Sequence, residues 1–365
     1  MCTEPDFSES RNAGGLVGME TNNSITPVSV AGSHFEIGTS LGAATGDAIR
    51  DRVFTTPEFA ELKARWLNST RLGQLEEAAR SAYPEFVREI EGMAAGAELD
   101  FETLFLWNCR GDLRLPPDGA EAEGCTCVLQ PAVGHDKPAI IAHNEDGAPE
   151  FLGHCFWVTV NPDDGPGFQS FMYPGMLPGH TFGMNAWGLA QTINNIRVHD
   201  LQIGVPRQII TRAVLACREL NDAVDILKRK DRASGFHHAL GQAGLRRLVS
   251  VEAPASECYV KEIEVPSGHA NHVIDPSFDT TRQTVTRSSM LRQAKVDTDL
   301  GIWTREEPEV ILFDTETPVY RANDDGDDYA QTLATGVLHL YANGAEWTVH
   351  ASPSERHTIR GRLNI

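Results

Sequence analysis

No stretch of this 365-residue chain approaches the roughly 18 to 20 consecutive apolar residues of a membrane span, so no membrane partner is expected. Positive charge is also scarce: 31 Lys and Arg stand against 51 Asp and Glu, a formal net charge of −20. Such a surface repels a phosphate backbone, which argues against nucleic acid as a partner and is compatible with an amine-bearing ligand. Basic clusters are sparse and no glycine-rich phosphate loop is visible, so neither coenzyme A nor any other cofactor is expected. The opening residues, Met1 to Gly15, lack the basic and apolar regions of a secretory signal, and a cytoplasmic location is the expectation. The seven cysteines, at 2, 109, 125, 127, 155, 217 and 258, are odd in number and dispersed. That excludes a disulfide framework and leaves thiolate chemistry as the use to look for.

Residues 1–24 are polar and rich in Gly, Asn and Ser, the composition of a disordered arm. A short strand is predicted from about Ile25, with a turn at Gly32 and a helix from about Ser33 in which Gly38 and Gly42 permit close packing. Further helices are predicted at about 56–67, 74–96 and 101–109, so that 25–124 is mainly helical. After Asp112 a Pro/Gly/acid loop intervenes and the pattern switches to strands. Hairpins are predicted from 125–130 with 139–145, 154–161 with 168–173, and 180–185 with 189–194. One broad helical face follows over 205–230, then hairpins from 246–252 with 258–265 and from 335–342 with 345–351. Strands on both sides of central helices predict an α+β fold of two antiparallel sheets enclosed by helices.

The most informative junction is Glu-Gly-Cys-Thr-Cys, Glu123 to Cys127. A small Gly124 before Cys125, after a loop and at the start of a strand, is what an autoprocessing N-terminal nucleophile requires. The Cys125 sulfur can attack the Gly124 carbonyl in an N-to-S acyl shift, and hydrolysis of the thioester frees the Cys125 α-amine. With a pKa of about 8, that amine can act as general base for its own thiol. The same dipeptide is also compatible with a buried core cysteine.

Other segments bear on that choice. Gly32, Glu36, Gly38 and Gly42 form a Gly-x-x-x-Glu-x-Gly-x-x-x-Gly pattern, followed by Trp107-Asn-Cys-Arg-Gly-Asp-Leu113 and Gly-Cys-Thr-Cys. Asn144-Glu145-Asp146, a hairpin over Gly183 to Asn195, and His269-Ala270-Asn271-His272 complete the series. In this order and spacing the chain, from about Ile25 onward, resembles the penicillin (isopenicillin N) acyltransferase-like family of N-terminal nucleophile (Ntn) hydrolases, which includes β-alanyl amide hydrolases. The resemblance implies a four-layer αββα sandwich cut between Gly124 and Cys125, with residues 25–124 and 125–365 forming one domain from two chains. It also implies Cys125 as nucleophile, Asn271 as a side-chain donor to the oxyanion, and Asp146 as an acid organising the N-terminal amine or substrate. Asn144, Ser234 and Thr335 align with the substrate pocket, and Cys127 stands where a small hydroxyl residue is common.

The departures are specific. Family acyltransferases carry a Ser-Arg pair near the last strands, where residues 331–336, Gln-Thr-Leu-Ala-Thr-Gly, hold no arginine. Binding of a substrate carboxylate by that arginine is therefore not expected, and Thr332 or Thr335 occupies the space. Arg287 and Arg292 are read as anchors for neighbouring acids. The expected activity is hydrolysis of a small N-acyl or β-aminoacyl amide, with acyl transfer to an amine and an uncleaved binding protein as the alternatives. The expected partners are a small-molecule amide and the chain's own N-terminal fragment, and a higher oligomer is open. No metal is expected, since Cys125-x-Cys127 with His135 and His143 lacks a second paired ligand set. The acidic run 323–328 lacks the closing Glu of an EF-hand and reads as a solvated loop.

Overall fold

The computed structural model describes residues 24–113, 124–134, 136–302, 307–317, 319–322, 330–354 and 358–365, without the side chains of 301–302. The expected arm, the Pro/Gly/acid loop at 114–123, His135 and the acidic run 323–328 lie outside these residues, apart from Ser24 at the arm's end. The chain opens with β1 (Thr26–Gly32), α1 (His34–Ala48), α2 (Pro57–Trp66), α3 (Thr70–Ala82), α4 (Pro84–Gly96), α5 (Phe101–Asn108) and α6 (Arg110–Leu113). Six strands follow: β2 (Gly124–Gln130), β3 (Ala139–Gly147), β4 (Phe156–Pro162), β5 (Phe168–Met172), β6 (Phe182–Asn185) and β7 (Leu189–Asn195). Then come α7 (Arg207–Leu215), α8 (Leu220–Leu227), β8 (Phe236–Gln242), β9 (Arg247–Ala253), β10 (Tyr259–Glu262) and β11 (Ser267–His269). The last elements are α9 (Arg287–Ile302), α10 (Glu309–Leu312), β12 (Gln331–Tyr341), β13 (Gly344–His350) and β14 (Thr358–Asn364).

Local chemistry sets the helix ends. Ser33 accepts from the Glu36 N–H while the Glu36 carboxylate accepts from the Ser33 N–H, a capping box that starts α1. The helix expected over 74–96 is instead two, because Pro84 forces Tyr83 out of helical geometry (φ −147°, ψ 67°) and then begins α4 at its N1 position. Helices α1 and α4 cross at backbone contact. A Cβ on Gly38 or Gly42 would lie 2.0 Å from the Glu89 carbonyl oxygen or 2.1 Å from that of Met93, and Gly92 and Gly96 face α1 just as closely.

The strands form two sheets, one of eight in the order β1-β4-β5-β6-β7-β8-β9-β10 and one of six in the order β11-β2-β3-β12-β13-β14. Every strand pair is antiparallel except β1 with β4, a parallel pair whose crossover is the N-terminal helical segment and the first hairpin. The sheets pack face to face through β2 and β3 against β7 and β8. Helices α7 and α8 lie on the far side of the eight-stranded sheet, and α9 and α10 on the far side of the six-stranded one. The α+β sandwich expected from the hairpin pattern is therefore the fold, with four layers in the order helix, sheet, sheet, helix.

The single helix expected over 205–230 is interrupted between α7 and α8. Asn185 Nδ2 binds the Leu215 and Cys217 carbonyls, while Gln242 Oε1 accepts the Leu220 N–H. These partners from β6 and β8 satisfy helix-end groups that a continuous helix would satisfy itself. Strands β8, β11 and β14 are absent from the sequence expectation: β8 and β11 show no clean alternation, whereas β14 does alternate, Ile359 and Leu363 with Arg360 and Arg362, and is missed.

Candidate active site

The period of two along a strand decides which side chains meet. On β2, Cys127 and Leu129 belong to the core between the sheets, whereas Val128 packs with Val296 and Ile311 under α9 and α10. Cys125 therefore faces the inter-sheet space and Thr126 faces α9. On β3 the same alternation sends Ile141, His143 and Glu145 inward and Ala142, Asn144 and Asp146 outward. Antiparallel register sets Glu145 directly opposite Cys125 and His143 opposite Cys127.

The inward face holds a compact polar group. Cys125 Sγ donates to Glu145 Oε2 at 3.6 Å, His143 Nε2 lies 2.9 Å from the same oxygen, and Tyr173 Oη donates to Glu145 Oε1 at 2.6 Å. The backbone N–H of Asn195, at the end of β7, also reaches the Cys125 sulfur. Burial, reinforced by the charges of Glu145 and Asp146, pushes the Cys125 thiol well above its usual range. At neutral pH the thiol stays protonated in this uncut chain, so its reaction needs a proton acceptor, and Glu145 is in contact with it.

The outward side grips the backbone of the same residue. The Cys125 N–H donates to Asn271 Oδ1 at 2.9 Å, and Arg292 Nη2 donates to that oxygen at 2.7 Å. Arg292 Nη1 donates to the Cys125 carbonyl and, at 3.0 Å, to Thr126 Oγ1. Asn271 Nδ2 donates to the Asn195 carbonyl at 3.0 Å. Two donors at Oδ1 and one acceptor at Nδ2 settle which amide atom is which. A methyl on Gly124 would lie 3.2 Å from Arg292 Nη2, 3.3 Å from Arg321 Nη1 and 3.3 Å from Asp146 Oδ2, so two guanidinium groups and a carboxylate surround the Gly124–Cys125 junction. Asp146 Oδ1 accepts from Thr332 Oγ1, and burial raises the Asp146 pKa against the lowering effect of Arg321 and Arg292.

A supporting chain runs behind Asn195. Arg207 Nη1 donates to Asn195 Oδ1 at 2.7 Å, and Asp112 Oδ1 receives the Arg207 N–H at 3.1 Å and the Ser234 hydroxyl. Asp112 precedes the proposed cut, whereas Ser234, Arg207 and Asn195 follow it. This network joins the two segments.

The candidates thus separate. Cys125, Asn271 and Asp146 converge on the junction, Asp146 from the outward face. Asn144 lies outside it: Nδ2 donates to the Leu312 and Val319 carbonyls and Oδ1 accepts from Thr335, so this pair ties β3 and β12 to the segment around α10. Ser234 acts at a distance through Asp112. Cys127 is fully buried in the core, its thiol pushed up to about 12 by desolvation. Residues 331–336 hold no arginine, but two guanidinium groups reach the junction from elsewhere, Arg292 from α9 and Arg321 from the residues before β12. Glu145, Asn195 and Arg292 carry no local signal of their roles, since each depends on a partner far away in sequence.

Burial also holds three histidines uncharged: His143 and His238 are lowered to about 3, and His237, stacked 3.5 Å from His269, is lowered well below 6.5. Below pH 6.5 the unfolded chain protonates these rings and the fold does not, so acid favours unfolding. Asp112 and Asp146, raised by burial, act in the opposite sense above pH 3.8. Stability is expected to fall from pH 6.5 to 4 by up to about 1.4 kcal/mol per pH unit per ring, and the melting temperature falls with it. Calorimetry giving a flat profile over that range would contradict this account.

Comparison with known proteins gives the geometry a family. The model of the family described as Acyl-coenzyme A:6-aminopenicillanic acid acyl-transferase matches residues 133–354, which include Asp146, Ser234, Asn271 and Thr335. The chain belongs to this family. It is accordingly an enzyme of amide hydrolysis or acyl transfer. Among its relatives is the beta-alanyl-dopamine/carcinine hydrolase of Drosophila melanogaster, 29% identical over 354 residues, or 85% of this chain and 89% of that one. Solved structures similar to this acyl-transferase family member include the C2A mutant of conjugated bile acid hydrolase from Clostridium perfringens (TM-score 0.41, 10% identity, 66% of this chain and 92% of that one). Another is penicillin V acylase from Agrobacterium tumefaciens (TM-score 0.35, 12% identity, 69% and 81%). Among the described residues, no helix is long and apolar enough to cross a membrane.

Proposed function

We propose that the chain cuts itself between Gly124 and Cys125 and that the exposed N-terminal cysteine then hydrolyses a β-aminoacyl amide of an aromatic amine. The observation that carries this reading is the grip on one residue: Cys125 has its thiol on Glu145, its N–H on Asn271 Oδ1 and its carbonyl on Arg292. In the cut, the thiol proton passes to Glu145 as sulfur bonds the Gly124 carbonyl carbon. The peptide C–N bond breaks, its nitrogen takes up a proton, and water hydrolyses the thioester to leave a Gly124 carboxylate.

In the mature enzyme the freed α-amine stays on Asn271 Oδ1 and takes the thiol proton. The thiolate attacks the substrate carbonyl, and the Asn195 N–H beside the sulfur receives the developing oxyanion, in place of the Asn271 amide that the resemblance implies, whose Nδ2 is engaged by the Asn195 carbonyl. The α-ammonium gives its proton to the departing amine, and water then releases the acid from the acyl-thioester. The fragment ending at Gly124 stays bound through Asp112. The choice of acyl group rests on the Drosophila relative, and the chain's −20 charge accords with an amine-bearing substrate.

The test is release of dopamine and of histamine from their β-alanyl amides, followed by chromatography, beside N-acyl and penicillin-type amides. Preference for the β-alanyl amides is the expected result. Turnover of the other amides alone would overturn the substrate assignment, and turnover only with an added acceptor amine would identify an acyltransferase.

A further inference from the structure

We propose that Cys125, His143 and Glu145 form a zinc-binding site that switches the enzyme off. The three offer sulfur, imidazole nitrogen and carboxylate oxygen, all within 4.8 Å of one another. Tetrahedral zinc, with bonds of about 2.3 Å to sulfur and about 2.0 to 2.1 Å to nitrogen or oxygen, sets ligand separations of about 3.6 Å for S···O and about 3.3 Å for N···O. Here Sγ lies 3.6 Å from Glu145 Oε2, and His143 Nε2 lies 2.9 Å from the same oxygen. The S···O separation already matches, N···O needs to open by about 0.4 Å, and the sulfur-to-nitrogen separation, under 4.8 Å, closes by side-chain rotation. The strand register explains it: Glu145 is the direct cross-strand neighbour of Cys125, and His143 is the diagonal one on the same face.

Binding replaces one proton, the Cys125 thiol proton, which leaves to solvent. The neutral His143 ring keeps its proton by carrying it on Nδ1, so that Nε2 offers its lone pair to the metal. A thiolate with an imidazole selects zinc over magnesium or calcium. The metal also neutralises the thiolate and carboxylate that the fold holds side by side. Among the described residues, Nδ1 of His143 is buried without a hydrogen-bond partner, and none of them gives that ligand the outer support typical of resident zinc sites. That difference suits a reversible inhibitor better than a permanent structural ion. In the cut chain, the Cys125 α-amine becomes available as a fourth ligand, which a peptide nitrogen cannot be, so the mature enzyme should bind zinc more tightly than the uncut one.

Inhibition as a consequence rests on Cys125 being the nucleophile; the binding itself does not. Purified mature protein titrated with cobalt(II) chloride should show a thiolate-to-metal charge-transfer band saturating at one equivalent and reversed by zinc chloride. Cys125→Ala should abolish the band, and Glu145→Gln or His143→Gln should weaken zinc at least tenfold in the competition. The isosteric Glu145→Gln keeps the test valid should His143→Gln fail to fold, each variant being compared with parent protein in the same cut state, as read by intact mass. Absence of the band, or zinc affinity unchanged in both variants, overturns the site. A band with the expected variant pattern but with hydrolysis intact under saturating zinc upholds the site and rejects the nucleophile.

Discussion

Cys125→Ala is expected to yield one uncut chain whose amide hydrolysis is lower by about 10⁴-fold or more, the scale on which loss of a nucleophile is felt. The substitution removes the sulfur needed both for the acyl shift at Gly124 and for the acyl-thioester. It also leaves the peptide bond in place, so the general-base amine is never formed. The fold should survive, because alanine suits a strand position that is 4% exposed and the backbone bonds to Asn271 and Arg292 remain. Intact mass under denaturing conditions reads the cut directly: two fragments from the parent chain, and a single chain from the variant. Cys125→Ser separates the two steps, since a hydroxyl can still attack Gly124 but slowly. Hydrolysis persisting in Cys125→Ala would remove the assignment.

The second large effect is expected at Arg292. The residue is 1% exposed, and its guanidinium holds the Cys125 carbonyl, Thr126 Oγ1 and Asn271 Oδ1 together. Burial lowers its pKa only to about 10, so it remains charged at neutral pH beside Asp146. Arg292→Met keeps much of the volume but removes these three hydrogen bonds together with the one from Nε to Ser288 Oγ. Each deserted buried acceptor costs about 1 to 3 kcal/mol, and Asn271 becomes free to turn its amide. Both cleavage and turnover should fall by about 10²-fold, the effect of misplacing a reacting group by about 1 Å. Arg292→Lys retains the charge without the planar fork and should lie between the two. Rates of self-cleavage by time-resolved mass analysis, beside melting temperatures, distinguish positioning from instability. Full activity in Arg292→Met would show that Asn271 alone holds the junction.

Much of the molecule is legible without its coordinates. The hairpins around 131–138, 163–167 and 186–188 follow from alternation and turn residues, both local properties. The helices of the N-terminal segment follow from apolar spacing, a local property of the chain. The error over 74–96 was also local, since Pro84 signals the break at Tyr83. The interruption of 205–230 was not, because the groups that end the helices, Asn185 and Gln242, sit on strands of the sheet beneath.

The site divides along the same line. Gly124-Cys125 at a strand start can be picked out because its chemistry is written in adjacent residues, whereas Asn271 between histidines is picked out by the family resemblance. Asn144 and Thr335 are equally visible in the sequence, yet strand alternation turns them to the outer face, where they bind each other and the segment around α10. Conversely, Glu145 is an ordinary acid until register sets it against Cys125, and Arg292 is one cation among many until α9 lays it beneath β2. The sequence by itself determined which short segments become strands and helices and where a cysteine could be cut free, because those depend on neighbours in the chain. Only the tertiary structure decided which acid, amide and guanidinium share that cysteine, because register and packing join residues 20, 146 and 167 positions apart.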